Sequence, residues 1–205
     1  MSILTIYVLP LHTTFLVDLL SLGPMTFSAA IPNGPSLKTV LEHPQIPKVM
    51  FDVRQDSFAL FKIFGVRLDG VEDIQLMELA TRKYNRSFVK GLDKCIEYDA
   101  PMSFADRIRW QIEKQNIRTI FEPGNEDVRD VFRRPISLPT QKYCMQQVRY
   151  LPRLWDLYSS QLAPDSKSMV QRESMERVLK THDPAYNPRG DHMAHAPAHW
   201  RTSSY

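Results

Sequence analysis

Short apolar runs broken by polar turns mark the first third of the chain as alternating strands and helices. Residues 3–8 and 14–19 are two such runs, and the first carries apolar side chains on both faces, as an inner strand does. A third run covers residues 49–53. Apolar positions then recur at helical spacing over residues 56–64, up to Gly65, which suits a left-handed C-terminal cap. This order predicts an α/β domain with a largely parallel sheet covered by helices.

Capping residues and prolines predict where the remaining elements begin and end. Ser36 is a plausible N-cap for a helix that ends near residue 42, and Asp73 is a plausible N-cap for a helix over residues 74–82. A short strand is expected at residues 66–68. The C-terminal half is predicted to be helical, with segments near residues 87–97, 104–116, 127–133, 139–161 (kinked at Pro152) and 166–180. From residue 181 onwards, the many Pro, His and Ser residues predict a disordered tail.

Composition limits the size of the domain and its partners. A chain of 205 residues with 43% apolar residues can bury one ordinary core. We therefore expect one domain over residues 1–162, followed by a charged helix and the tail over residues 163–205. The net charge is only +3, so contact with nucleic acid would have to come from local basic patches rather than from the charge of the whole protein.

Cysteine usage and the apolar start indicate an intracellular protein. Cys95 and Cys144 show neither CxxC nor zinc spacing, so we expect reduced thiols in the cytoplasm or nucleus. The apolar stretch of residues 1–23 lacks a basic leader and is interrupted by Pro10 and Asp18. It therefore predicts neither a signal peptide nor a membrane span.

Two places in the chain could carry chemistry. Asp56 follows the third strand, at the sheet edge where ligands and metals collect in open α/β sheets; its alternative role is a helix N-cap. Far downstream, Tyr143 and Gln147 are four residues apart and share one face of a predicted helix. With Tyr150 they could equally form a plain buried stripe.

Three segments carry a resemblance to a known family: Phe51-Asp-Val-Arg-Gln-Asp56-Ser-Phe-Ala-Leu60, Val71-Glu-Asp73-Ile-Gln75-Leu and Tyr143-Cys-Met-Gln-Gln147. They resemble motifs of the ribonuclease D-like branch of the DEDD exonucleases, over roughly residues 2–162. The resemblance implies an RNase H-like fold with a mixed five-stranded sheet. It also implies removal of nucleotides from 3′ ends by two divalent metals held by four carboxylates. Asp56 would be a metal ligand, and Tyr143 would orient the attacking water.

The chain departs from that family pattern at the acidic positions. Gln147 stands where the third motif has an aspartate, and the Asp-x-Glu of the first strand has no counterpart, because the chain starts at what resembles the second strand. Asp156 would point to the opposite helix face, while Glu126 and Asp127 stay open as substitutes. Two Mg²⁺ or Mn²⁺ ions need several anionic ligands. We therefore expect either a truncated or alternatively started gene product, or a pseudo-nuclease.

Two functions from different classes follow. The first is a 3′–5′ exonuclease-domain protein that binds single-stranded RNA or DNA 3′ ends, with impaired hydrolysis and with Mg²⁺ or Mn²⁺ as cofactor only if active. Lys142, Arg149 and Arg134 are the candidate phosphate contacts, although such residues are often simply solvated. The second is a catalytically inactive module for binding nucleic acid or scaffolding proteins. The absent strand would leave either directly paired neighbours or unpaired edges that invite self-association.

Overall fold

The computed structural model describes residues 1–29, 32, 34–120 and 133–201, without the side chains of residues 116–120 and 201. The chain folds as a mixed α/β structure, which confirms the predicted fold class. Its strands are β1 (Ile3–Val8), β2 (Thr13–Asp18), β3 (Lys48–Met50) and β4 (Val71–Asp73). β1 and β2 form an antiparallel hairpin, and β3 pairs in parallel with β4.

Helices surround these strands and make up most of the C-terminal half. They are α1 (Leu19–Leu22), α2 (Met25–Ser28), α3 (Leu37–Glu42), α4 (Arg54–Phe64), α5 (Ile74–Thr81), α6 (Leu92–Tyr98), α7 (Phe104–Ile120), α8 (Leu138–Arg149), α9 (Leu151–Gln161), α10 (Pro164–Thr181) and α11 (Ala198–Arg201). None of the helices described here is long and apolar enough to cross a membrane.

Three local signals end or begin helices as the sequence predicts. The Ser36 hydroxyl accepts a hydrogen bond from the Thr39 N–H at 3.1 Å and caps α3. Gly65 ends α4 with φ of 63°, a left-handed conformation that costs glycine little. Asp73 caps α5. Each signal depends on one residue and its near neighbours, which is why the sequence reveals it.

The fourth strand is not where the sequence places it. Residues 66–68 form no strand. Backbone groups at either end of this segment bond to helices: the Val66 N–H donates to the Leu60 carbonyl oxygen and the Asp69 N–H to that of Leu41. The strand that pairs with β3 lies farther along, at Val71–Asp73. β3 itself ends at Met50, earlier than predicted, because the chain turns at Asp52 with φ of 55° before entering α4.

The helix predicted over residues 139–161 is two helices. α8 ends at Arg149 and α9 begins at Leu151, with Tyr150 between them and Pro152 in the first turn of α9. This position suits proline, since its missing N–H has no acceptor in the first turn. The helix predicted at residues 127–133 lies largely outside the described residues, as do Glu126 and Asp127.

The sheet is interrupted. Among the described residues, β1 pairs only with β2 and β3 only with β4. The structure therefore has two separate two-stranded sheets where the resemblance implies one sheet of five strands. The sequence predicts either direct pairing between β1 and β3 or unpaired strand edges, and the structure has unpaired edges among the described residues. Leu4 of β1 and Met50 of β3 nevertheless pack against the same buried cluster, which includes Leu60 of α4.

Residues 182–201 are not the disordered tail that the sequence predicts. The charged helix is confirmed as α10, which packs against α4, β4 and α5. Residues 182–201 follow it as turns and the short α11, and Trp200 at 1% exposure lies in the core around α5 and α9. The segment is also held by an N–H···O bond of 2.9 Å from Val89 to Ala194. The burial of Trp200 stabilises this segment despite its polar composition, so the prediction of disorder from residue 181 onwards is wrong.

Two further expectations concern the whole chain. Cys95 and Cys144 are free thiols, as predicted. The division into residues 1–162 and 163–205 stays a prediction, since α10 and α11 share their buried residues with the preceding part.

We predict that Trp200→Ala lowers the free energy of unfolding by about 3–5 kcal/mol, because it removes a fully buried aromatic side chain and leaves a cavity. His199→Ala is the matched control, since the His199 side chain is 53% exposed and its loss should change stability by less than about 1 kcal/mol. Urea denaturation of both variants measures the difference. Equal stabilities would show that residues 182–201 are not part of the core.

Candidate functional site

The carboxyl edge of β3 and β4 is organised by one buried carboxylate, that of Asp73, which is 0% exposed. Asp73 is the N-cap of α5, and its Oδ1 accepts the N–H of Gln75 at 3.1 Å. The same carboxylate accepts the N–H of Asp52 at 2.9 Å and the N–H of Val53 at 3.2 Å. Asp73 therefore caps α5 and also holds Asp52 and Val53, the two residues that lead into α4.

Arg177 of α10 supplies the positive charge that this buried carboxylate needs. Its guanidinium donates to Asp73 Oδ2 at 2.7 Å and to Gln75 Oε1 at 3.0 Å, and it is itself only 4% exposed. A buried charge is tolerated when it is paired and its remaining oxygen atoms accept hydrogen bonds. The ion pair therefore ties the C-terminal helix to the turn that leads into α4.

A second arginine engages the neighbouring aspartate. Arg54 donates to both carboxylate oxygens of Asp52, at 2.5 and 2.7 Å, and also to the carbonyl oxygen of Met193 at 2.7 Å. Asp52 is the residue with positive φ before α4. Bidentate arginine–carboxylate pairs fix both geometry and charge, so the side chain of Asp52 is already occupied within the protein.

Asp56 is the third aspartate of this edge, and unlike Asp52 and Asp73 it lies inside a helix and has no arginine partner. It is the third residue of α4, and the N-cap position is taken by Val53, so the alternative of Asp56 as an N-cap is wrong. Its half-buried carboxyl group forms no hydrogen bond or ion pair with any described residue. Burial, together with repulsion from Asp52 and Asp73, raises the pKa of Asp56 to about 6.

These residues do not fit a two-metal site. Asp52 and Asp73 are bound by arginines, and only Asp56 has a carboxylate without such a partner. Within the described part of the chain, no three His, Cys, Asp or Glu side chains come together as metal ligands. A pair of divalent ions needs several anionic oxygen ligands.

The other predicted site residues lie on α8. This helix packs against β1, β2 and α9, whereas α4 packs against α10. Tyr143 and Gln147 are both half-buried on α8, and burial raises the pKa of Tyr143, which keeps its hydroxyl protonated. The structure thus places Asp56 and Tyr143 on different helices, α4 and α8.

The three candidate basic residues differ in whether an acidic side chain of the protein already binds them. Arg134 is bound through its guanidinium to both carboxylate oxygens of Asp18, which lowers the pKa of that aspartate. Lys142 and Arg149 are exposed on α8. They are seven residues apart, two helical turns, and therefore share one face.

The structure confirms the predicted capping role of Asp73, whereas the sequence does not predict the roles of Arg54 and Arg177. The role of Asp56 as a metal ligand stays a prediction. A signal for Arg177 does exist: Val170, Ser174, Val178 and Thr181 recur at helical spacing and are all buried, so an arginine beside Val178 on this stripe needs a buried acid. No feature of the sequence identifies that acid as Asp73, which is 104 positions away.

We predict that Asp56→Asn raises the free energy of unfolding by about 1–3 kcal/mol at pH 8 and leaves it unchanged below about pH 4. The pKa of about 6 in the folded protein lies above that of an unfolded aspartate, so the folded state favours the protonated form. The wild-type protein then loses stability as the pH rises through 6. Urea denaturation at both pH values measures the effect.

Asp165→Asn is the matched control, because Asp165 is an exposed aspartate in the first turn of α10. It should give no stabilisation at pH 8. A lower stability of Asp56→Asn than of the wild type at pH 8 would mean that the Asp56 carboxylate has a favourable partner.

Comparisons with known proteins agree with this architecture. The model of the 3′–5′ exonuclease domain family matches residues 12–162. Among solved structures, Trypanosoma brucei RNase D in complex with RNA U12 is similar with a TM-score of 0.73 and 20% identity, covering 98% of this chain and 63% of RNase D. Its GMP complex gives a TM-score of 0.71 and 22% identity, covering 92% of this chain and 54% of RNase D.

A search of curated protein sequences finds no match. The chain spans between about half and two thirds of the RNase D chains that it resembles, and at these identities the likeness shows the fold. Because the family match extends over well more than half of its residues, the chain belongs to the 3′–5′ exonuclease domain family, with an RNase D-like fold.

Proposed function

We propose that this chain binds the 3′ ends of single-stranded RNA or DNA and hydrolyses them poorly or not at all. The proposal of weak or absent hydrolysis is supported by the three aspartates at the sheet edge. Asp52 and Asp73 are bound by arginines, and of the three only Asp56 has a carboxylate without an arginine partner. An amide at Gln147 is a neutral and weak metal ligand. In an active member of the family, Mg²⁺ or Mn²⁺ would be the cofactor; for this chain we propose binding without a metal requirement.

The proposal of nucleic-acid binding is supported by family membership and by the exposed charges of α8. RNase D of Trypanosoma brucei has been solved with RNA U12, and this chain shares its fold. Lys142 and Arg149 lie on one exposed face of α8, where they can each reach a phosphate group. Tyr143, half-buried on the same helix, offers an aromatic ring on which a base can stack. Arg134 contributes less, since Asp18 already neutralises it.

Two other properties belong to the same proposal. We place the protein in the cytoplasm or nucleus, on the basis of its two free thiols. Among the described residues, β1 and β3 each have one edge without a strand partner, and such edges favour association with other chains, including copies of this one. They also give specific support to the second candidate function, a scaffolding role for a nuclease fold that has lost its carboxylates.

We predict that the protein leaves a 5′-labelled 12-nucleotide RNA intact in the presence of Mg²⁺ or Mn²⁺. A single free carboxylate cannot hold both the attacking and the leaving oxygen in place through metal ions. Denaturing gels resolve the expected ladder of shortened products. Shortening of the RNA that disappears in Asp56→Ala would contradict the proposal, because it would make Asp56 part of a working metal site.

We predict that the double variant Lys142→Ala, Arg149→Ala binds the same RNA about five- to tenfold more weakly at low salt. Its plot of log affinity against log salt should be shallower by about 1.4, since each lost contact with a single strand contributes about 0.7. Fluorescence anisotropy measures both quantities.

Lys62→Ala, Lys180→Ala is the control, as it removes the same charge from exposed positions on α4 and α10. An equal loss of affinity in the control would show that only net charge matters. Absence of RNA binding by the wild-type protein at low salt would favour the scaffolding function.

A further inference from the structure

Residues 82–90, the 82–90 loop, lie in the connection between α5 and α6 and combine positive charge with exposed aromatic rings. The segment reads Arg-Lys-Tyr-Asn-Arg-Ser-Phe-Val-Lys, with four cations and no acidic residue. Tyr84 is 81% exposed and Phe88 is 56% exposed. Aromatic rings interleaved with cations are typical of surfaces that bind single-stranded nucleic acid.

Two arginine side chains hold the backbone of the 82–90 loop in place. The Arg82 guanidinium donates to the carbonyl oxygens of Asn85 at 2.8 Å and of Phe88 at 2.9 Å. The Arg86 guanidinium donates to the carbonyl oxygens of Arg82 at 2.6 Å and of Ala80 at 3.1 Å. A binding surface that is already ordered loses less conformational entropy when a ligand arrives.

The second half of the loop is also attached to the C-terminal segment. The Val89 N–H donates to the carbonyl oxygen of Ala194 at 2.9 Å. The His195 imidazole lies against the Phe88 ring, with the ring centroids 4.8 Å apart and the planes 31° apart. Because Phe88 stays more than half exposed, a base can extend this pair of rings. Tyr84 contacts no other ring among the described residues.

Two of the four cations have no acidic partner. Arg82 and Lys90 pair with the buried carboxylate of Glu78, at 2.9 and 3.0 Å. Within the described part of the chain, no carboxylate lies within ion-pair distance of Lys83 or of Arg86. Lys83 is exposed and Arg86 half-buried, so the charge of both is available to phosphate groups.

We propose that the 82–90 loop is a second binding site for single-stranded RNA or DNA. Tyr84 and Phe88 stack on bases, and Lys83 and Arg86 contact phosphate groups. Stacking on an aromatic side chain needs an unpaired base, so the loop favours a single strand over a duplex. The inference rests on the proposed function and extends it, because α8 supplies mainly charge whereas this loop recognises the bases themselves.

The double variant Tyr84→Ala, Phe88→Ala tests the proposal in the full chain. We expect it to bind a 12-nucleotide single-stranded RNA at least tenfold more weakly in fluorescence anisotropy, because two stacking contacts are lost. The slope of log affinity against log salt should stay the same, since no charge is removed. An abasic strand of the same length should bind the variant and the wild type equally. Equal affinity of both proteins for the RNA, or an equal loss with the abasic strand, would overturn the proposal.

Tyr98→Ala, Phe104→Ala is the matched control, since these residues on α6 and α7 are of the same two types and are 68% and 80% exposed. It should bind the RNA as the wild type does, and an equal loss of affinity would overturn the proposal. Tyr84→Trp keeps a ring for stacking, so it should retain the affinity and lose fluorescence when RNA is added. Unchanged fluorescence would contradict stacking at this position.

The outcomes separate this inference from the proposed function. Absence of RNA binding by the wild-type protein would contradict both. RNA binding that depends on Lys142 and Arg149 but not on Tyr84 and Phe88 would overturn this inference alone, and would leave the exposed rings as a surface for a protein partner.

Discussion

The structure depends on the buried carboxylate of Asp73. Three backbone N–H groups, from Asp52, Val53 and Gln75, and the guanidinium of Arg177 all bond to its two oxygen atoms. One side chain thereby fixes the amino ends of α4 and α5 relative to each other and attaches α10 to both. Removing either charged partner would leave the other buried and unpaired, which is among the most destabilising changes a core can suffer.

The same interaction determines the chemistry available at the sheet edge. With Asp73 bound by Arg177 and Asp52 bound by Arg54, the edge holds acidic residues whose charge is already balanced inside the protein. Asp56 lies four residues beyond Asp52, and burial, together with repulsion from Asp52 and Asp73, raises the pKa of its carboxyl group. The fold is that of an exonuclease domain, and two of the three aspartates at this edge are paired with arginines.

Much of this could be predicted from the sequence where the cause is local. The β1–β2 hairpin, the caps at Ser36 and Asp73, and the end of α4 at Gly65 each depend on a few neighbouring residues. The mixed α/β class followed from their order and from the family resemblance. Features that depend on distant partners were missed: the strand at Val71–Asp73, the burial of Trp200, and the pairing of Arg177 with Asp73. A polar composition predicted disorder after residue 181, because nothing local indicates that Trp200 fits a cavity beside α5 and α9.

The most direct test of the account is anomalous diffraction from crystals of this chain soaked in Mn²⁺. The account predicts no pair of manganese ions at the carboxyl edge of β3 and β4, with Asp52 and Asp73 still bound to Arg54 and Arg177. Two anomalous peaks about 3.5–4 Å apart, with Asp56 as a shared ligand, would contradict it.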